Sequence, residues 1–183
     1  MPSRLVVGRD VPWVTAWSGE EHLGVHRCPS VGGRLAVDQA ERPGEGRPLY
    51  SRNHLVRQRR SVAEMLCPMC GKPTRGADRV TLTGRRTTAG ALRARGLGAL
   101  LPPGLDDASR LLDAGAIAPL HRACAERSHR LCPHLAGLPE ARPLAFPGSW
   151  IVLPLMIAAR PTENDAHGLA VSVVSFLQLV GLG

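Results

Sequence analysis

Short apolar runs alternate with turn-forming and arginine-rich stretches along most of this chain. Leu5-Val6-Val7 and Trp13-Val14-Thr15-Ala16-Trp17 read as short β runs. The second would place Trp13, Thr15 and Trp17 on one face and Val14 and Ala16 on the other. The tryptophans read as core side chains, with an exposed stacking platform as the alternative. Residues 18–33, with Gly19, Gly24, Pro29, Gly32 and Gly33, read as loop, and Arg34 to Asp38 as another short strand. Glu41 to Pro48 is a turn-rich connector. From Tyr50 to Leu66 the apolar positions Leu55, Val62, Met65 and Leu66 have helical spacing. Asn53 is the candidate cap, and Arg52, Arg57, Arg59 and Arg60 are expected to coat the solvent side.

Beyond Gly71-Lys72-Pro73, the segment Arg79 to Thr83 alternates like a strand. Gly84 could turn it into a second strand, Arg85 to Thr88. Asp106 or Asp107 predicts a capped helix over Ala108 to Ala114, stopped by Gly115. Pro119 leads into a helix over about residues 121–132, ended or bent by Pro133. Trp150 to Leu153 and Leu169 to Val180 could be strands or a final helix. No internal repeat is present. The pattern predicts an α+β fold, loop-rich, of small β elements and short helices. It divides into a β-rich segment (1–48), a central α+β core (49–140) and an apolar C-terminal segment (141–183) packing on that core, all within one compact domain.

Composition changes this picture in two ways. Aromatic residues make up only 3% of the 183 residues, so Leu, Val and Ala must fill the core, and Gly (20) and Pro (16) imply long loops. A loop-rich chain with a thin core gains from a cross-link. The net charge is +8, and every basic residue except Lys72 is arginine. Arginine bias follows from a high-GC genome; it also suits a phosphate or carboxylate partner, which guanidinium binds in bidentate fashion.

The five cysteines favour metal over disulfides, because the count is odd and two lie in a C-x-x-C pair. Met1 to Gly8 lacks the apolar core of a secretory leader, and the longest apolar stretches fall short of the ~20 residues a spanning helix needs. A cytoplasmic protein without a membrane partner is expected, in a compartment that keeps thiols reduced.

Cys67-Pro68-Met69-Cys70-Gly71 and His121-Arg122-Ala123-Cys124 each carry the two-residue spacer that lets both side chains reach one tetrahedral ion. Together they offer the soft ligands that zinc prefers. His121 and Cys124 would project from one helical face, with the helix N-terminus favouring thiolate. Four protein ligands would close the site, making it structural. Cys132, about 12 Å further along a regular helix, competes for a ligand position, and His134 could join it if Pro133 unwinds the helix end. Cys28 with His22 and His26 is a further loop cluster of metal-compatible spacing.

Knuckle, hairpin and a helix whose first turn donates two ligands is the order of a treble-clef zinc finger, and the chain resembles that superfamily from Cys67 to about Cys132. Three further stretches carry a broader resemblance: Pro12-Trp13-Val14-Thr15-Ala16-Trp17-Ser18-Gly19-Glu20, the run Val56-Arg57-Gln58-Arg59-Arg60 before the first cysteine pair, and Cys124-Ala125 with Leu131-Cys132-Pro133-His134-Leu135. In these the chain resembles small uncharacterised proteins of high-GC bacteria. That resemblance implies an organisation around structural zinc and supplies no chemistry.

No phosphate-binding loop, dinucleotide turn, nucleophile elbow or H-E-x-x-H is present, and the deaminase arrangement is missing. The stretch Arg79 to Thr88 lacks the histidine an HNH nuclease would need. The expected function is therefore a zinc-stabilised binding protein contacting nucleic acid or another polyanion through Arg52, Arg57, Arg59 and Arg60. A protein-interaction or accessory subunit docking through the apolar tail is the alternative. An enzyme using His54 or His134 near an open metal site ranks below both.

Overall fold

A computed structural model describes residues 3–82, 84–132, 137, 143–159 and 171–182. Among these, eleven strands and three α-helices form three sheets: mixed, loop-rich α+β. The centre is the strand β11 (Val171–Leu182), paired antiparallel along its length with β10 (Ser149–Ala159). The C-terminal segment is thus a strand pair rather than a helix. On its other edge β11 meets two neighbours in turn. It runs parallel to β3 (Leu35–Gln39) through Val174 and Ala36, then antiparallel to β7 (Arg110–Gly115) from Leu179 onward. The strands β2 (His22–Arg27) and β6 (Arg85–Thr88) complete the edges. Leu179 and Val180 face opposite apolar clusters, so β11 is buried on both sides.

Two smaller sheets flank this one. One pairs β1 (Thr15–Trp17) with β4 (Pro48–Asn53). The other is β8 (Leu120–His121), β5 (Arg79–Thr81) and β9 (Leu144–Ala145).

The helix α1 (Leu55–Ala63) holds the structure together, and not as its charge pattern predicts. Arg57 and Arg59, expected on the surface, are only 1% and 0% exposed, and Gln58 is equally buried. The reason lies in the divided edge of β11. Between Val174, where β3 pairs, and Leu179, where β7 takes over, the backbone of β11 has no strand partner on that side. Gln58 fills this gap: its amide accepts from Leu177 N at 3.0 Å and donates to Leu177 O at 2.7 Å and Ala116 O at 2.8 Å. Arg59 donates to Ser175 O at 3.1 Å and Val37 O at 2.8 Å, stitching β11 to β3. Side chains therefore satisfy backbone groups that a ladder would otherwise have paired. Arg57 turns to the β1 side, donating to both oxygens of buried Glu20 at 2.5 and 2.9 Å and to Thr15 O at 2.9 Å.

His54, not Asn53, caps α1: its Nδ1 accepts from Arg57 N at 3.2 Å while its Nε2 donates to Ala40 O at 3.0 Å. Both bonds require a neutral ring protonated at Nε2. Burial first, then the Arg57 guanidinium, pushes the His54 imidazole down to about 4. The unfolded chain takes up this proton near pH 6.5 and the folded chain does not until about pH 4, so stability falls as pH drops through that window. The loss should reach about 2–3 kcal/mol. Urea titrations of His54→Asn should lack this component relative to the parent chain.

Other differences have equally local causes. Leu5 to Val7 forms no strand; Val7 makes a single bridge to Val11. β2 lies where loop was expected, and its alternation is weak because neither face is buried. Residues 108–114 are not helical. Asp106 Oδ1 does accept Ala108 N at 2.9 Å, but as a turn, and pairing with β6 and β11 draws the following residues into β7. β5 and β6 are both strands yet do not form a hairpin: β5 joins β8 and β9, β6 joins β7. Trp17 is fully buried, as a core reading requires. No helix among the described residues is long and apolar enough to cross a membrane.

Candidate metal centre

α1 ends in a tight turn that aims the chain at the first cysteine pair. Leu66 N donates back to Ser61 O at 2.9 Å, and Met65 sits between them in the left-handed region at φ 53°. The next residues form a knuckle: Cys67 N donates to Lys72 O at 2.8 Å and Gly71 N to Cys67 O at 2.7 Å. The N-terminal segment supports it from outside, with Trp13 N and Val14 N each donating at 2.9 Å to Met69 O and Pro68 O. Gly71 is required twice. Its φ is +73°, and a Cβ there would lie 2.9 Å from the Trp13 ring. Gly71→Ala should cost about 2–4 kcal/mol, from left-handed strain plus overpacking, measured by denaturant titration at fixed zinc.

The second pair arrives by a different route. β8 pairs with β5, placing His121 opposite Arg79. The helix α3 (Arg122–Leu131) then starts, as expected, with His121 as its N-cap residue and Cys124 in its first turn. The His121 side chain does not cap the helix; Asp78 Oδ1 accepts from Arg122 N at 3.1 Å instead. That leaves the imidazole free to turn toward the knuckle.

The donor atoms of Cys67, Cys70, His121 and Cys124 all lie within 4.8 Å of one another. Bonds of about 2.0–2.3 Å to a shared ion fit such a cluster after small side-chain adjustment. His121 Nδ1 faces Cys70 Sγ at 3.4 Å, while its Nε2 donates to Pro73 O at 3.0 Å. The second contact fixes the tautomer that presents Nδ1 as a lone-pair donor. Cys67 is fully buried; the other three are partly buried. Burial pushes the Cys67 thiol up, while the backbone amides of His121, Cys70 and Met69 act the other way by favouring a thiolate. Burial and then the Cys67 and Cys70 sulfurs push Cys124 up to about 12. Three sulfurs this close cannot all ionise without a cation among them, so metal binding would release protons.

Arg79 ties this centre to the rest of the protein: it donates to Thr74 O at 2.7 Å and lies 5.2 Å over the Trp150 ring.

Cys132 lies at the far end of α3, outside the cluster. His134 lies outside the described residues. Cys28 is buried with its Sγ toward Ala36 O, and no metal cluster forms with His22 and His26 among the described residues. His54 is a buried cap, 0% exposed, which removes the basis for giving it a catalytic part. Of the arginines expected at an interface, Arg52 is exposed and Arg60 half-exposed, with Arg60 paired to Glu64 at 2.9 Å, whereas Arg57 and Arg59 are interior. The roles of Arg57, Gln58 and Arg59 in the core escaped sequence reasoning; no periodic signal distinguishes a buried arginine from a solvated one.

No protein-family profile, curated protein or solved structure matches this chain.

Proposed function

We propose that this chain is a zinc-stabilised binding protein whose ion is structural and whose partner is a nucleic acid or another polyanion. The observation that carries the metal part is the Cys67–Cys70–His121–Cys124 cluster with its fixed imidazole. Three thiolates and an imidazole suit zinc, and four protein ligands leave no position for water or substrate. The arrangement is read as a treble-clef variant: knuckle, the β5–β8 pair, then α3. The expected hairpin turn is replaced by an insertion, residues 82–119, that supplies β6 and β7 to the main sheet. On this reading the likeness to small zinc-finger proteins of high-GC bacteria extends to the metal.

Support for a polyanionic partner comes from the +8 charge and its placement. Arg85 and Arg86 are exposed on the edge strand β6, and Arg110 is exposed on its neighbour β7. None of these forms an ion pair with another described residue. They take the place of Arg57 and Arg59, which are buried, in the role first given to Arg52, Arg57, Arg59 and Arg60. Fluorescence anisotropy with a labelled oligonucleotide should show affinity that falls steeply with added salt, and the doubly substituted Arg85→Gln/Arg86→Gln chain should bind more weakly with a shallower salt slope. Absence of binding at low salt would end this part of the reading and leave the metal centre untouched.

A second reading has its own observation. Val152, Met156 and Ile157 of β10 are 38–47% exposed, and no described strand pairs with the outer edge of β10. An accessory subunit docking through this strand would show concentration-dependent sedimentation or partner-rescued solubility.

A further inference from the structure

The geometry points to a second site, unconnected with the metal: a concavity that binds a small organic anion bearing a carboxylate or phosphate and an apolar body. It is lined by residues of β1, β2, β3 and β4, the start of α1 and Phe176 of β11, with a volume of about 560 Å³. That volume lies in the range of small-molecule pockets.

The sign of the ligand follows from which polar groups are already engaged. Glu20, the carboxylate in the lining, accepts from both Arg57 nitrogens, from Trp17 N at 2.8 Å and from Arg42 N at 3.0 Å. Its charge is neutralised and its acceptor sites are filled. Gln39 is likewise committed, donating to Glu20 O at 3.1 Å and accepting from Leu55 N at 3.0 Å. Ser18 Oγ accepts from Arg47 N at 3.0 Å, and the Trp17 indole N–H is a buried donor without a partner; the other polar side chains left over are His22, Ser51, Arg52 and Asn53. None of the four is held by another described residue. They are rich in donors, include a permanent cation and contain no acid. Glu21, the next acid along the chain, leans toward Arg42 at 3.9 Å and does not line the cavity. The remaining wall is apolar: Trp17, Leu49, Leu55 and Phe176. A guanidinium beside an apolar wall selects a planar or tetrahedral oxyanion carried on hydrocarbon.

The test is isothermal titration of the metal-loaded full chain with benzoate, phenyl phosphate and neutral benzyl alcohol. Saturable binding of at least one anion is expected, with benzyl alcohol weaker by about tenfold or more, the worth of one charge-assisted hydrogen bond. The better of the two anions identifies the headgroup. Arg52→Gln should weaken that anion about tenfold or more, and Ser51→Asp, which sets an acid on the rim, should abolish its binding. Both positions are exposed, so both variants should stay folded. Failure of both anions to saturate at millimolar concentration, equal binding of benzyl alcohol, or undiminished affinity in Arg52→Gln would each overturn the proposal. Oligonucleotide binding in the same variants reports on the polyanion reading separately.

Discussion

Serine in place of Cys124 is expected to abolish stable metal binding and unfold the clasp around it. Apparent binding free energies for structural zinc in small domains are about 10–16 kcal/mol at neutral pH. A whole domain is stable by only about 5–15 kcal/mol, so the ion's contribution rivals the total. In this chain the candidate ligands sit on the knuckle, at the end of β8 and in α3, and the local apolar cluster is small: Cys67, Val80, Leu82, Leu120 and Ala125. Three of the side chains in or against that cluster, Cys67, Cys70 and Cys124, are themselves candidate ligands. Cobalt-loaded Cys124→Ser should lose the intense thiolate-to-metal absorption of the parent. Hydrogen exchange should then show lost protection in residues 64–82 and 119–132, with the β10–β11 pair retained. His121→Cys serves as the control, because a fourth thiolate keeps a closed tetrahedral set; it should stay folded with a shifted cobalt spectrum. Treatment of the parent chain with a strong chelator should reproduce the Cys124→Ser pattern. A parent chain purified without metal yet fully protected in both segments would refute the structural assignment.

Arg57→Met should be the most damaging substitution remote from the metal, costing about 3–5 kcal/mol. It would leave Glu20 charged, 5% exposed and stripped of two donors. The Thr15 carbonyl would lose its partner as well. The penalty is that of an uncompensated charge rather than the net worth of the pair, so a second change should restore much of it. Replacing Glu20 by leucine together with Arg57→Met removes both charges, and the double variant should be more stable than Arg57→Met alone. The Trp17 and Arg42 amides that Glu20 accepts from would still be orphaned, so recovery should be incomplete. Denaturant midpoints of the three chains at pH 7, with constant metal, measure this coupling.

Each half of the Cys/His cluster was legible because its determinants are local. A C-x-x-C-G run folds into a knuckle with few alternatives, and a histidine and cysteine three apart at a helix start must share a face. The helices α1 and α3 and the strands β3, β5 and β6 followed from spacing in the same way. What stayed hidden depended on partners distant in sequence. β7 follows an Asp-rich turn that mimics a helix cap, and pairing with β6 and with β11, more than sixty residues away, draws it into a sheet. Arg57 and Arg59 look like solvent-facing charges until the gap along β11 and the buried Glu20 are seen. The cavity beside Arg52 is likewise built from six separate elements, none of which advertises it.

The 50 residues that separate Cys70 from His121 include two strands of the central sheet, so the four ligands cannot converge through local chain collapse. Closure of so long a loop is entropically unfavourable until β5 and β8 have found each other. On the proposed reading, ion capture would be a late event on the route from the ribosome to the finished protein, acting as a latch on an assembled scaffold rather than a seed for it. Cells starved of metal would accordingly accumulate chains with a formed sheet and an open, protease-sensitive clasp.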